Sequence, residues 1–272
     1  METRTRRTLS TTITLFAVGL TALGVQWTRD RLGDASTLTG WTLLASTAGL
    51  YLLSARKNSA NPCWGRVSAW LQVHTYMGTF ASFVFLMHIG WPIRGTFELL
   101  LAGCFLIVAL SGIALSIMNR RTPLKLAAVA IDRSVEKIPT IRAAVAHDAH
   151  VLALRSAEFG EGATLAEYYQ QRLLPFFQSQ RSWLYRLCPN GVQRRQLLRE
   201  MNDLERYLAD QGNASRGILA SMVVTKDDLD YQYALLTRLR TLHALHVALT
   251  WSLALMIGVH VVLVYRFQGV LQ

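Results

Sequence analysis

The sequence predicts an all-α integral membrane protein, a helical bundle of five transmembrane helices with a helical cytoplasmic insert between helices four and five. Composition is the first observation: 17% of the 272 residues are charged and 51% are hydrophobic, whereas soluble domains carry about 25% charged residues. The second is where the charge is missing. Five uncharged stretches cover 8–28, 35–55, 67–93, 99–119 and 241–265, and roughly 20 helical residues cross a hydrocarbon core. The apolar runs are continuous rather than alternating, which argues against a β-barrel. A disordered, collagen-like or small disulfide-stapled chain is excluded by the same composition.

The elements follow in order. Residues 1–119 hold spans one to four, 120–240 the insert, and 241–272 span five with a short tail. Arg4, Arg6 and Arg7 precede span one, which has no small-residue cleavage site after it and reads as an uncleaved anchor. Arg56, Lys57 and Arg66 separate spans two and three, and Arg120, Arg121, Lys125 and Arg133 follow span four, whereas the other connections are charge-poor or balanced. By the positive-inside rule the N-terminus and the insert are cytoplasmic and the C-terminus is outside, in a membrane of bacterial cytoplasmic type. The net charge of +11 is therefore topological, and no nucleic-acid partner is expected. Trp64, Trp70, Trp91 and Tyr265 sit where an aromatic belt is expected.

The insert is helical and mildly basic. Leu197, Leu198, Met201, Leu204 and Leu208 recur at helical spacing, predicting an amphipathic helix that ends near Gly212. Thr225, followed by Lys226, Asp227 and Asp228, reads as the start of another helix, about 40 residues long, that continues through span five. Pro139, Pro175 and the Pro189–Asn190–Gly191 turn divide the remainder. The Gly160–Glu161–Gly162 stretch lacks a strand before it and reads as a loop before a helix capped by Thr164 rather than a dinucleotide loop. Cys63, Cys104 and Cys188 are isolated, so neither a c-type haem attachment nor a cysteine zinc site is present.

Five of seven histidines fall inside spans: His74 and His88 in span three, and His243, His246 and His260 in span five. Such residues are expensive in hydrocarbon unless partnered. His74 to His88 is 14 residues, and so is His246 to His260. Fourteen steps return within roughly 40° of the starting direction, so each pair projects from one helix face about 21 Å apart. Both spans run in the same direction, which sets His74 level with His246 and His88 level with His260. Imidazoles facing each other across a bundle suit the two axial positions of a haem iron. Gly78, Ala81 and Ser82 in span three and Ala254 and Gly258 in span five are small residues that would leave room, although ordinary helix packing accounts for them equally well. His243 stands about 100° off the face of His260 and is read as a propionate or quinone contact, or as an interface residue. Arg66 and Arg94 flank span three and suit haem propionates, though topology alone also explains them. His147 and His150 read as a surface pair.

With His74–x13–His88 in one span and His246–x13–His260 in another, the sequence resembles the membrane di-haem b-type cytochromes. The nearest likeness is to the transmembrane haem domain of ferric reductases and NADPH oxidases, and more loosely to cytochrome b subunits of respiratory complexes. The resemblance covers spans three to five and implies two non-covalent haem b groups with all four histidines as axial ligands. It departs from those reductases in having no sixth span and no flavin or nicotinamide domain after the haem bundle, and the insert has no counterpart. The resulting expectation is an electron-transfer subunit rather than a catalytic chain by itself, linking a quinone pool to a peripheral redox subunit of a larger complex. Two alternatives stay open: a transmembrane reductase of an extracytoplasmic acceptor such as ferric iron, and a haem-free membrane scaffold or transporter.

Overall fold

The computed structural model describes residues 2–59, 64–90, 92–93, 95–127, 135–158 and 163–267. These residues are predominantly helical, with no strand among them: α1 (Glu2–Asp30), α2 (Ala35–Asn58), α3 (Val67–His88), α4 (Thr96–Ala127), α5 (Ile138–Glu158), α6 (Ala163–Tyr168), α7 (Leu174–Gln178), α8 (Trp183–Leu187), α9 (Val192–Asp203) and α10 (Asp210–Phe267). The chain forms two compact units, one of Met1–Ile117 with His243–Gln272 and one of Met118–Leu242.

Among the described residues, three helices are long and apolar enough to cross a membrane: Thr8–Asp30 within α1, then α4, and α10. The other two expected spans form helices of 24 and 22 residues, long enough at 1.5 Å per residue, but their composition is diluted by hydroxyls, Gln72 and His74. Many of those hydroxyls return a hydrogen bond to their own helix. Thr42 donates to the Leu38 carbonyl at 2.8 Å, Ser46 to Thr42 at 2.7 Å and Thr75 to Leu71 at 2.9 Å, which spares the polar atom the cost of lying unpaired in an apolar setting. Others join helices: Gln72 on α3 donates to the Ser10 hydroxyl on α1 at 2.9 Å. The Asp34 carboxylate caps α2, accepting from the Ser36 backbone N–H at 2.9 Å and the Ser36 hydroxyl at 2.6 Å. Gly95, at φ +101°, precedes α4, and a β-carbon there would meet the Glu98 carboxylate. Ala81, Phe85, Ala102, Phe105 and Leu253 bring α3, α4 and α10 into one apolar core, with the Phe85 and Phe105 rings stacked at 4.2 Å.

The second unit has its own core, built on Leu165, Leu173, Phe176, Met201, Leu219 and Val223. Two sequence expectations are corrected here. The amphipathic run ends before Gly212: α9 stops at Asp203, a 3-10 turn covers Leu204–Tyr207, and Leu208 and Ala209 lie outside any helix. The next helix begins at Asp210 rather than Thr225 and runs for 58 residues. Asp227 and Asp228 do not serve a helix start. Asp227 and Asp230 are instead buried and paired with arginines from outside the helix, and Gly212 and Gly217 are carried inside α10, each at about 1 kcal/mol relative to Ala. Pro139 sits in the first turn of α5, where a missing N–H costs no helical bond. Thr164 lies inside the first turn of α6 rather than at its cap, and the preceding Gly160–Gly162 loop lies outside the described residues.

A candidate cofactor site between helix-borne histidines

The four paired histidines occupy α3 and α10, and each pair has an electrostatic neighbour on the other helix. Across α3 and α10, His246 and His74 are close enough to interact electrostatically, as are His88 and His260.

Three of the four rings are anchored through Nδ1, each by a different helix neighbour. The His74 Nδ1 lies 3.2 Å from the Leu50 carbonyl of α2. A carbonyl only accepts, so His74 carries its proton on Nδ1. The His88 Nδ1 lies 3.0 Å from the Thr39 hydroxyl, which itself donates to the backbone carbonyls of Ala35 and Ser36 at 3.0 and 3.1 Å. The His246 Nδ1 lies 2.8 Å from the Ser111 hydroxyl of α4, which donates to the Val108 carbonyl at 2.8 Å. With the hydroxyl proton directed to a carbonyl of its own helix, the ring Nδ1–H can donate to the hydroxyl oxygen in both cases. The arrangement suits the tautomer whose Nε2 lone pair is free for a metal, with the ring held from behind.

Two glycines make room for this. A β-carbon on Gly40 would stand 3.1 Å from the His88 Cε1, and one on Gly112 would stand 3.3 Å from the His246 Cε1. Each glycine directly follows the hydroxyl residue that holds the same ring, giving Thr39–Gly40 on α2 and Ser111–Gly112 on α4. The small residues singled out from the sequence contribute differently. A β-carbon on Gly78 would reach only Leu50, at 4.0 Å, and one on Gly258 would meet nothing within 4 Å, so the close approach to the imidazoles comes from α2 and α4. Ala81 is core packing.

His88 and His260 line a cavity of about 490 Å³ between α2, α3, α4 and α10, within the 300–1,000 Å³ typical of cofactor sites. Its walls are apolar, including Phe85, Phe105, Leu253 and Ile257, with Glu98, Ser36 and Thr37 as polar members. The His260 ring lies near Phe97, with centroids 6.5 Å apart. Tyr265, expected only as a belt residue, lines this cavity and packs its ring 6.3 Å from Trp41. Toward the His74–His246 end, the Tyr51 hydroxyl donates to the Thr250 carbonyl at 2.7 Å, tying α2 to α10.

The remaining site residues are less engaged. Arg66 is exposed at the N-cap of α3 and makes no capping bond through its side chain. Arg94 and Trp91 lie outside the described residues. His243 is exposed, with Lys57 and His246 as electrostatic neighbours. In the second unit the His150 ring lies 5.9 Å from Tyr169. Among the described residues no three or more His, Cys, Asp and Glu side chains converge as a metal site. Sequence reasoning missed Thr39, Gly40, Ser111 and Gly112, whose signal was a hydroxyl–glycine step inside an apolar helix.

No family model, no curated protein and no solved structure matches the chain.

Proposed function

We propose that the protein is a membrane cytochrome b subunit. It carries electrons across the bilayer through two bis-histidine haem b groups, linking the quinone pool with a peripheral redox partner in a larger electron-transfer complex. In this reading α2 and α3 cross the membrane together with α1, α4 and α10, because their hydroxyls are spent on their own helices and on the histidines rather than on water. His74 with His246, and His88 with His260, are the axial ligands.

The observation that carries the reading is the anchoring of three Nδ1 atoms by Leu50, Thr39 and Ser111: held this way, three imidazoles from two helices can turn Nε2 to a metal, and one of them shares an apolar cavity of cofactor size with the fourth. Bound haem would supply one-electron chemistry without an open coordination position. The chain's own work is to hold the rings from behind, to line the cavity with apolar side chains that exclude water, and to space the two sites along the helices. Arg66, Arg94 and His243 are the proposed propionate or quinone contacts, on the strength of their positions at the ends of the histidine-bearing spans.

The test is a dithionite-reduced minus oxidised spectrum of the purified protein with a pyridine haemochrome assay. Two b-type haems per chain are expected, falling to one in His88→Ala. A chain that stays colourless after haem-replete expression overturns the reading in favour of a scaffold or transporter. Two haems that quinol fails to reduce would instead favour a reductase of an extracytoplasmic acceptor.

A further inference from the structure

The insert contains a second, chemically different site. Pro139, Arg142, Gln180, Tyr185, Arg186 and Tyr233 line a small cavity of about 110 Å³, with Arg181 and Asp230 in its wall. That is smaller than the ~150 Å³ engineered cavity that accepts benzene, so it fits one compact group rather than a cofactor.

Its walls carry an excess of positive charge. Arg142 pairs with Asp230 at 2.7 Å, and Lys226 with Asp230 at 2.7 Å. Arg181 pairs with both Asp230 and Asp227 and bonds Gln193, which uses all three of its nitrogens. Arg194 meets Asp228 at 2.8 Å. In the lining itself Arg142, Arg181 and Arg186 stand against the single carboxylate of Asp230, so two positive charges are in excess. Arg142 has Nε and Nη2 left over, and Arg186 is described in contact only with the Tyr233 ring. Both guanidiniums stand over that ring, at 5.8 and 5.9 Å from its centroid, which holds two like charges at one end of the cavity with no acidic side chain assigned to their free donors. The Tyr185 side chain adds an independent sign: it is 9% exposed, and its hydroxyl is buried with no hydrogen-bond partner. Burial, with Asp227 nearby, pushes its ionisation up, so it remains a protonated donor. Unpaired cationic donors in the lining therefore outnumber unpaired carboxylates, which suits an anion better than a cation or an apolar ligand.

We infer that this cavity binds a single oxyanion group, a phosphoryl or a carboxylate, between the Arg142 and Arg186 guanidiniums, with Gln180 and Tyr185 as further donors. Guanidinium geometry suits both groups. The site does not depend on haem in the other unit.

Calorimetric titration of the full-length detergent-solubilised protein with phosphate, and separately with acetate, against chloride at matched ionic strength tests this. Saturable binding of at least one of the two is expected; saturation by phosphate alone assigns a phosphoryl ligand, and by acetate alone a carboxylate. Arg186→Gln removes an exposed side chain outside the buried ion network and should weaken binding at least tenfold, as should Tyr185→Phe. Arg199→Gln, an exposed arginine on α9 that does not line the cavity, should leave binding unchanged. Absence of saturable binding by either anion, or equal weakening by Arg186→Gln and Arg199→Gln, overturns the proposal.

Discussion

The side chains that decide the chemistry of the membrane unit are the ones behind the histidines. Ser111 bonds His246 and Thr39 bonds His88, and each hydroxyl also has a backbone carbonyl of its own helix within donating reach. Removing such a partner from a metal-bound histidine typically costs 10–100-fold in affinity or activity. On the proposed haem reading, Ser111→Ala is expected to weaken haem retention at the His74–His246 pair while leaving the His88–His260 pair loaded, and Thr39→Val should do the reverse. Haem per chain, measured after a wash with a haem-scavenging protein, reads both. Equal retention in wild type and both variants would show that the hydroxyls do not support the ligands. That each histidine pair shares one helix face was legible from spacing, because a 14-residue interval has a direct angular consequence on a helix. Their partners were not, because which of the many Ser and Thr residues in α2 and α4 lies opposite a given ring depends on helix register across the bundle, and one helix's sequence does not encode that.

At the scale of elements, the sequence located the five long helices through missing charge but misjudged where two helices in the insert begin and end. Asp227 and Asp228 resemble first-turn acids, yet Asp227 belongs to an ion network with Arg181, a tertiary partner 46 residues away that local pattern does not reveal. The genuine capping acid is Asp34. Its carboxylate is held below its ordinary range by hydrogen bonds from the Ser36 and Thr37 side chains, against a smaller opposing effect of burial. A carboxylate with a depressed folded pKa contributes stability above its unfolded value, here near 3.8, and that contribution is lost as pH falls through the lower folded value. Asp34→Ala should destabilise the start of α2 by about 1 kcal/mol at neutral pH. Hydrogen exchange at the first turn of α2 measures it, and the difference from wild type should shrink on acidification below pH 4. A difference that persists unchanged below that range would mean the effect is not a carboxylate cap.

For the whole molecule, the two units rest on different physics. The first is held by apolar helix faces and hydroxyl bonds, while the second surrounds a salt-linked centre in which Lys226 and Asp230 are both fully buried. Breaking a buried pair by removing one partner costs about 3–5 kcal/mol because the other charge is left uncompensated. Asp230 is the sharper target of the two, since it accepts from Lys226, Arg142 and Arg181 together. Asp230→Ala leaves three cations facing one another, and burial already pushes the Lys226 ionisation down, so part of the strain can be relieved by that lysine losing its proton. Loss of stability in the variant should therefore be greater at pH 6 than at pH 9. Because the cores of the units share no residue, the effect should appear as earlier proteolysis within 135–242 while the haem spectrum stays intact. If the spectrum and the insert are lost together at every pH, the ion network supports the membrane unit as well, and the separation into two cores does not describe how the protein unfolds.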